Sequence, residues 1–295
     1  MKMTCAGATN IGGSRNRENQ DAFFIKGRTI GVFDGHGVHG LAAATAACTV
    51  FDSAASATEA VFAQADAEVL KVTGAASGTT ATLLQVAEDG ACTVAHVGDA
   101  EAFVFDSDIG PGTPLTADHS PCSLEEWMRV RATATAETHF RFAPPPGYTG
   151  NPVFITAADG TFVPNPAGGH SYCNVRRDWA SYVCGKRGEQ LGITRALGDL
   201  NMKPHGVTAV PSVVTAEAPA VGTTRAIVVA SDGLWDAMLP EEVRAIVRKP
   251  EFLEPQNADA AVAALMAEAM KRGTELFGRD YDNVTAVVVY SKNKP

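Results

Sequence analysis

The chain lacks several features that would assign it a class at once. No apolar run approaches the ~18 residues of a membrane span. The opening MKMTCAGATN has no apolar core like that of a secretory signal, and Lys2 in place of glycine removes the case for myristoylation. Positive charge is short: 24 Lys and Arg stand against 33 Asp and Glu, a formal net charge of −9. General affinity for nucleic acid or an anionic membrane is therefore not expected. The six cysteines (Cys5, Cys48, Cys92, Cys122, Cys173 and Cys184) form no C-x-x-C pair, against a zinc ribbon or a thioredoxin-type centre. Most sit in apolar runs and read as buried, reduced thiols of a cytosolic protein. With no basic cluster, the cytoplasm is the expected location and the nucleus stays open.

What is present is a globular composition, 45% hydrophobic and 19% charged over 295 residues. Lys2 to Thr9, Asp21 to Lys26 and Thr29 to Phe33 read as strands. Gly40 to Ala54 and Thr58 to Val72 read as helices. Thr79 to Ala87, Cys92 to Val97 and Glu101 to Phe105 are strand-like. Ser123 to Ala136 is helical, with Ser123 and Glu126 spaced as a capping box. Phe140 to Gly188, rich in proline, glycine and aromatics, reads as a long irregular insert. Beyond it come strands at Val207 to Glu217 and Arg225 to Ala230, helices at Pro240 to Val247 and Ala258 to Arg272, and a strand at Asn283 to Tyr290. Strands come in runs and so do helices, which favours layered sheets with flanking helices over βαβ units.

Aspartates punctuate the strands. Apolar runs end at Asp34, Asp99 and Asp232, and Asp21 and Asp282 stand just before two more. Any one of them has an ordinary explanation, since Asp-Gly is a turn dipeptide. Five together place carboxylates at converging strand ends, where like charges repel unless cations neutralise them. An all-oxygen site of that kind favours Mg²⁺ or Mn²⁺, and two such ions can drive displacement on phosphorus. Gly35, Gly37 and Gly40 also spell G-x-G-x-x-G. A dinucleotide site needs a second strand ending in an acidic residue about 20 residues on, and here only helix follows until about Thr79.

The motifs that carry these residues are ENQDAF (18–23), GVFDGHGVHG (31–40), SGTTATLLQV (77–86), VAHVGDAEAFVF (94–105), LTADHSP (115–121), LGITRALGD (191–199), VPSVV (210–214), VVASDGLWD (228–236) and DNVTAVVV (282–289). In this order the chain resembles the PP2C-like (PPM) metal-dependent protein Ser/Thr phosphatases, with the middle third matching least. The resemblance implies an α+β fold, a four-layer α-β-β-α sandwich of two mainly antiparallel sheets with an inserted flap. It implies one phosphatase domain over residues 1–295, the insert falling at about 133–188. It implies hydrolysis of phosphoserine and phosphothreonine by a metal-activated water, with phosphorylated proteins as substrates and the chain acting as a monomer. Asp34 would bridge two Mg²⁺ or Mn²⁺ ions, the Gly35 carbonyl would join one, and Asp232 and Asp282 would hold the other. Asp118 with Asp232 would match a weaker third position. Asp21 would orient water, and His36 would protonate the leaving oxygen.

The family's phosphate-binding arginine lies five residues before the aspartate equivalent to Asp21. That position is Asn16 here, so Arg15 or Arg17 must serve, and Arg17 is nearer. Gln20 replaces the usual glutamate. Of Asp280 and Asp282 in GRDYDN, Asp282 is favoured because Asn283 and a strand follow. The insert is longer than the family's flap and is read evenly as a specificity element or a surface loop. His39 is read as a solvent-facing residue at a helix start, and His119 as a structural hydrogen-bonding group. His170, Cys173 and Cys184 lack a fourth ligand for zinc. Asp106 and Asp108 begin a calcium-loop pattern that does not continue. A non-catalytic scaffold of the same fold is the alternative, disfavoured by the intact aspartates. A cysteine-dependent phosphatase fails because no C-x5-R is present.

Overall fold

The computed structural model describes residues 2–54, 56–106, 109–142, 152–165 and 173–293. The chain opens with β1 (Lys2–Asn10), β2 (Asp21–Lys26), β3 (Thr29–His36), α1 (Gly40–Ser53) and α2 (Glu59–Thr73). Strands β4 (Gly78–Thr79), β5 (Ala81–Val86), β6 (Cys92–Val97), β7 (Glu101–Phe105) and β8 (Thr113–Pro114) lead to α3 (Leu124–Thr133). Next come β9 (His139–Phe142), β10 (Phe154–Thr156), β11 (Phe162–Pro164), β12 (Ser181–Cys184), β13 (Gln190–Leu191) and β14 (Leu197–Gly198). Strands β15 (Ser212–Ala216) and β16 (Thr224–Ala230) precede α4 (Asp232–Ala237), α5 (Pro240–Val247), α6 (Pro250–Leu253), α7 (Ala258–Phe277) and β17 (Val284–Lys292).

One sheet runs β1-β17-β16-β7-β8, and the other β14-β4-β3-β5-β6-β15 with β2 also on β3. The pairings between these strands are antiparallel. The period of two decides which side chain faces which layer. Along β16, Ile227 and Val229 pack between the sheets with Val287 and Val289 of β17 and with Ile30, Val32 and Leu84 of the other sheet. Their neighbours Ala226, Val228 and Ala230 turn outward, under Trp235, Val243, Leu265 and Met266 of α4, α5 and α7. On the far side, Phe33, Leu83 and Val97 meet Ala43, Ala47 and Phe51 of α1 and Phe62 and Val69 of α2. The central strands β16 and β17 are apolar on both faces because each face is covered, and each large buried side chain contributes about 1.5–3 kcal/mol. The result is the α-β-β-α sandwich that the resemblance implies.

Three sequence expectations need correction. Ser123 stands at the N-cap of α3 but makes no side-chain cap bond. Glu126 is drawn inward instead, where it meets Arg195 at 2.5 Å, Arg129 at 2.7 Å and the Thr194 hydroxyl at 2.6 Å. A buried bidentate pairing with arginine outcompetes a solvent-exposed cap. The insert is not irregular throughout: β9, β12 and β13 form one small sheet and β10 and β11 a hairpin. Trp127 of α3 joins them, packing against Phe140, Phe154 and Phe162. The cysteines carry no disulfide, but only Cys92 and Cys184 are buried and Cys173 is exposed.

Candidate active site

Antiparallel register places Asp21 of β2 directly opposite Asp34 of β3. Like charges at opposed positions destabilise a sheet, so this pair needs an external cause. The second sheet brings further carboxylates to the same place. Just past β16 stands Ser231, whose hydroxyl donates to Asp21 Oδ2 at 2.8 Å and accepts the Thr285 N–H at 2.9 Å. Asp232 therefore begins α4 beside the start of β2. Asn283 fixes the start of β17: its Oδ1 accepts the Gln20 N–H at 2.7 Å and its Nδ2 donates to the Ile11 carbonyl at 2.8 Å. That brings Asp282 to the rim, where it is exposed. Gly35 follows Asp34 where β3 passes under the first turn of α1. A Cβ there would stand 2.1 Å from the Gly40 carbonyl oxygen, so only glycine fits this crossing.

Burial and mutual repulsion raise the whole cluster. Burial first, then the charges of Asp21 and Asp282, lift the Asp34 carboxyl far above the usual carboxylate range, although it shares a hydrogen bond with Asp232. Burial and the charge of Asp34 do the same to Asp232. Asp21 is pushed up to about 6 and Asp236 to about 7, burial leading in both. Asp99 is raised as well, again chiefly by burial. Carboxylates gathered in this way stay ionised together only beside a cation.

A cleft of about 600 Å³ opens from this cluster, walled by Asp99, Asp118, Asp232 and Asp236, with Arg176 and Trp179 of the insert opposite. Asp34 lies behind the wall and is joined to it through Asp232. Asp118 is exposed and accepts from the Ser120 N–H at 2.8 Å and hydroxyl at 3.0 Å. Arg176 reaches across to Glu101 at 2.6 Å, and the Val175 N–H donates to the Asp236 carbonyl. The insert is thus bonded to the acidic wall. His119 and His96 stack behind it with ring centroids 4.2 Å apart, held neutral by burial. His119 accepts the Gly98 N–H at 3.2 Å and meets Ser212 at 2.9 Å, a structural role.

The remaining expected residues separate. Arg15 is bound to Asp280 at 2.5 Å, away from the cluster. Arg17 is exposed and has no hydrogen-bond or ion partner among the described residues. His36 meets Asp199 through Nε2, 2.7 Å from Oδ2. His39 is exposed at the start of α1. Asp106 is bound by Arg225, while Asp108 and His170 lie outside the described residues. Sequence reasoning gave no role to Asp236 or Asp199. Asp236 was legible in SDGLWD, one helical turn beyond Asp232 and so on the same face. Asp199 was not, since its partner lies 163 positions away.

Oδ1 of Asp21 and Oδ1 of Asp232 are buried without a hydrogen-bond partner among the described residues. Orphaned acceptors of this kind fit a hard cation. Among the described residues no three His, Cys, Asp or Glu side chains stand together as a group that could hold a metal ion. Mg²⁺ needs less, since one or two carboxylates and several waters suffice.

The sequence profile of the family "Protein phosphatase 2C" matches residues 16–140 and 174–276, more than half of the chain. The rice (Oryza sativa subsp. japonica) protein named "Probable protein phosphatase 2C 12" is 26% identical over 217 residues, 72% of this chain and 46% of its own length. The chain spans about half or less of the length of the curated relatives it matches. The serine-threonine phosphatase 2C of Toxoplasma gondii has the same fold, with a TM-score of 0.68 at 17% identity over 98% of this chain and 94% of that one. The catalytic domain of the phosphatase PstP, described in complex with two manganese ions, aligns with a TM-score of 0.54 at 18% identity over 97% of both chains. No helix among the described residues is long and apolar enough to cross a membrane. By its profile match, its strand order and its aspartate-lined cleft, the chain belongs to the protein phosphatase 2C family.

Proposed function

We propose that this protein hydrolyses phosphoserine and phosphothreonine esters of other proteins, with two Mg²⁺ or Mn²⁺ ions at the carboxylate cluster. The observation that carries this reading is the buried Asp21 set opposite Asp34 across the ladder, with Oδ1 of Asp21 and Oδ1 of Asp232 both left without a partner among the described residues. Asp34 would sit between the ions, with the Gly35 carbonyl on one and Asp232 and Asp282 on the other. Asp118 and Asp232 would serve a weaker third position. When bound, such ions supply positive charge to the phosphate and make a water acidic enough to attack phosphorus. The chain's own groups do the rest. Asp21 offers its free Oδ1 to orient the attacking water. Arg17, exposed and without a partner among the described residues, binds the phosphate oxygens, for which its fork is suited. His36 protonates the departing serine or threonine oxygen, a strongly basic leaving group that needs a proton as its bond breaks. Phosphorylated proteins are the substrates, and the chain acts as a cytoplasmic monomer.

A phosphoserine peptide assayed with Mn²⁺ and with EDTA tests the reading. Turnover only with metal, and its loss in Asp232→Asn, is the expected result. Metal-independent turnover, or undiminished turnover in Asp232→Asn, would overturn it.

A further inference from the structure

We propose that Asp199 is the positioning residue for His36, its carboxylate accepting from Nε2–H so that, in the ring protonated on both nitrogens, Nδ1–H is the bond that delivers the proton to the leaving oxygen. The inference rests on the phosphatase reading above, in which His36 is the acid. Oδ2 of Asp199 lies 2.7 Å from Nε2 of His36. The Asp199 side chain is 4% exposed and that of His36 28%, so the carboxylate is buried and the imidazole reaches solvent. Nδ1 of His36 has no partner among the described residues. A ring with one nitrogen tied to a buried carboxylate and the other free is held in one orientation with one nitrogen left to exchange protons, because the carboxylate fixes which nitrogen faces it.

The surroundings are built to keep the carboxylate there. In the order β14-β4-β3, Gly78 of β4 stands opposite Gly198 on one side and His36 on the other. A Cβ on Gly78 would lie 2.2 Å from Asp199 Oδ2, so glycine at this position makes the room that the carboxylate occupies. Asp199 has φ of +51°, a conformation that non-glycine residues seldom adopt. Its N–H donates to the Ser77 carbonyl at 3.0 Å, and its carbonyl accepts the Met202 N–H at 2.8 Å. Backbone held in a sparsely populated region points to a function that outweighs its cost. Upstream, Thr194 and Arg195 of the same segment are anchored to buried Glu126.

In the step served, water oxygen forms a bond to phosphorus as the bond from phosphorus to the serine oxygen breaks. The electron pair left on the serine oxygen takes the Nδ1 proton. One water proton stays on the phosphate formed and the other returns through solvent to His36.

The test compares two substrates with the full chain in Mn²⁺. A phosphoserine peptide needs the proton, whereas p-nitrophenyl phosphate releases a weakly basic nitrophenolate that does not. Asp199→Asn should lower kcat on the peptide about 100-fold, with KM and nitrophenyl phosphate turnover little changed. In a His36→Ala background it should cost nothing more, as expected for groups acting as a unit. Equal losses on both substrates, no loss on the peptide, or a further loss in the double variant would overturn the inference alone. Should Asp199→Asn fail to fold, the wild-type protein still decides. A long-range ¹H–¹⁵N spectrum taken with the ring neutral should assign His36 as the Nε2–H tautomer, and the Nδ1–H tautomer would overturn the inference. If the wild type with Mn²⁺ turned over neither substrate, the phosphatase reading would fall, and this one with it.

Discussion

Replacing Asp21 by asparagine should make the metal-free protein more stable at neutral and higher pH. Asp21 is 7% exposed, faces Asp34 across the ladder and has one unpartnered oxygen. The asparagine oxygen can keep the bond from Ser231, while its NH₂ turns a donor toward Asp34. The Asp21 carboxyl is raised from 3.8 to about 6, first by burial and, among nearby charges, by Asp282. Between those values the folded chain keeps a proton that the unfolded chain has lost, so wild-type stability falls as pH rises through that window. Fully developed above about pH 7, the penalty has a ceiling of about 3 kcal/mol. Removing one charge relieves only its own share of the repulsion, so about 1–3 kcal/mol is expected at pH 8, or roughly 3–10 °C in Tm. Melting curves of both proteins in EDTA at pH 8 and pH 4 measure it. The gain should be present at pH 8 and shrink to a small fraction near pH 4, where the folded state is protonated and the unfolded state about half so. A destabilised variant at pH 8, or the same gain at both pH values, would refute the reasoning.

Arg17→Ala should lower kcat/KM on a phosphopeptide by about 10- to 100-fold, the worth of a hydrogen bond to a charged group. Arg15→Ala should change it little, since Asp280 already holds Arg15; steady-state kinetics of the two variants separate them. Glu126→Gln should destabilise by about 3–5 kcal/mol in urea unfolding, because it leaves Arg195 and Arg129 buried and unpaired. Burial alone would raise Glu126, but hydrogen bonds from Arg195, Arg129 and Thr194 outweigh it and hold the carboxyl well below its usual range. Gly35→Ala should cost more than about 3 kcal/mol in the same assay, because its Cβ would overlap the Gly40 carbonyl, a backbone atom that has little room to move.

The layers and the inner carboxylates were legible because they follow from local pattern. β2, β6, β7 and α5 begin and end where alternation and breakers place them, and Asp34 and Asp232 stand where apolar runs stop. Choices made by tertiary competition were not legible. Glu126 has the spacing of a capping box, yet the buried Arg195, 69 residues away, claims it together with its helix neighbour Arg129. The strand expected over Thr79 to Ala87 is two, because β4 leaves β5 to pair with β14 and the end of β3. Arg15 and Arg17 look alike in sequence, and only Asp280, 265 positions on, tells them apart. The insert hid its strands because its sheet pairs β9 with β12 across about forty residues rich in proline and glycine.

The central claim is that the aspartate cluster is a two-ion site. A manganese anomalous difference map from a crystal grown in millimolar Mn²⁺ measures it directly. Two peaks about 3.5–4 Å apart, with Asp34 between them and Asp232 and Asp282 beside one, are the expected result. A map with no manganese peak in the cleft, or peaks that persist unchanged in Asp34→Asn, would contradict the account.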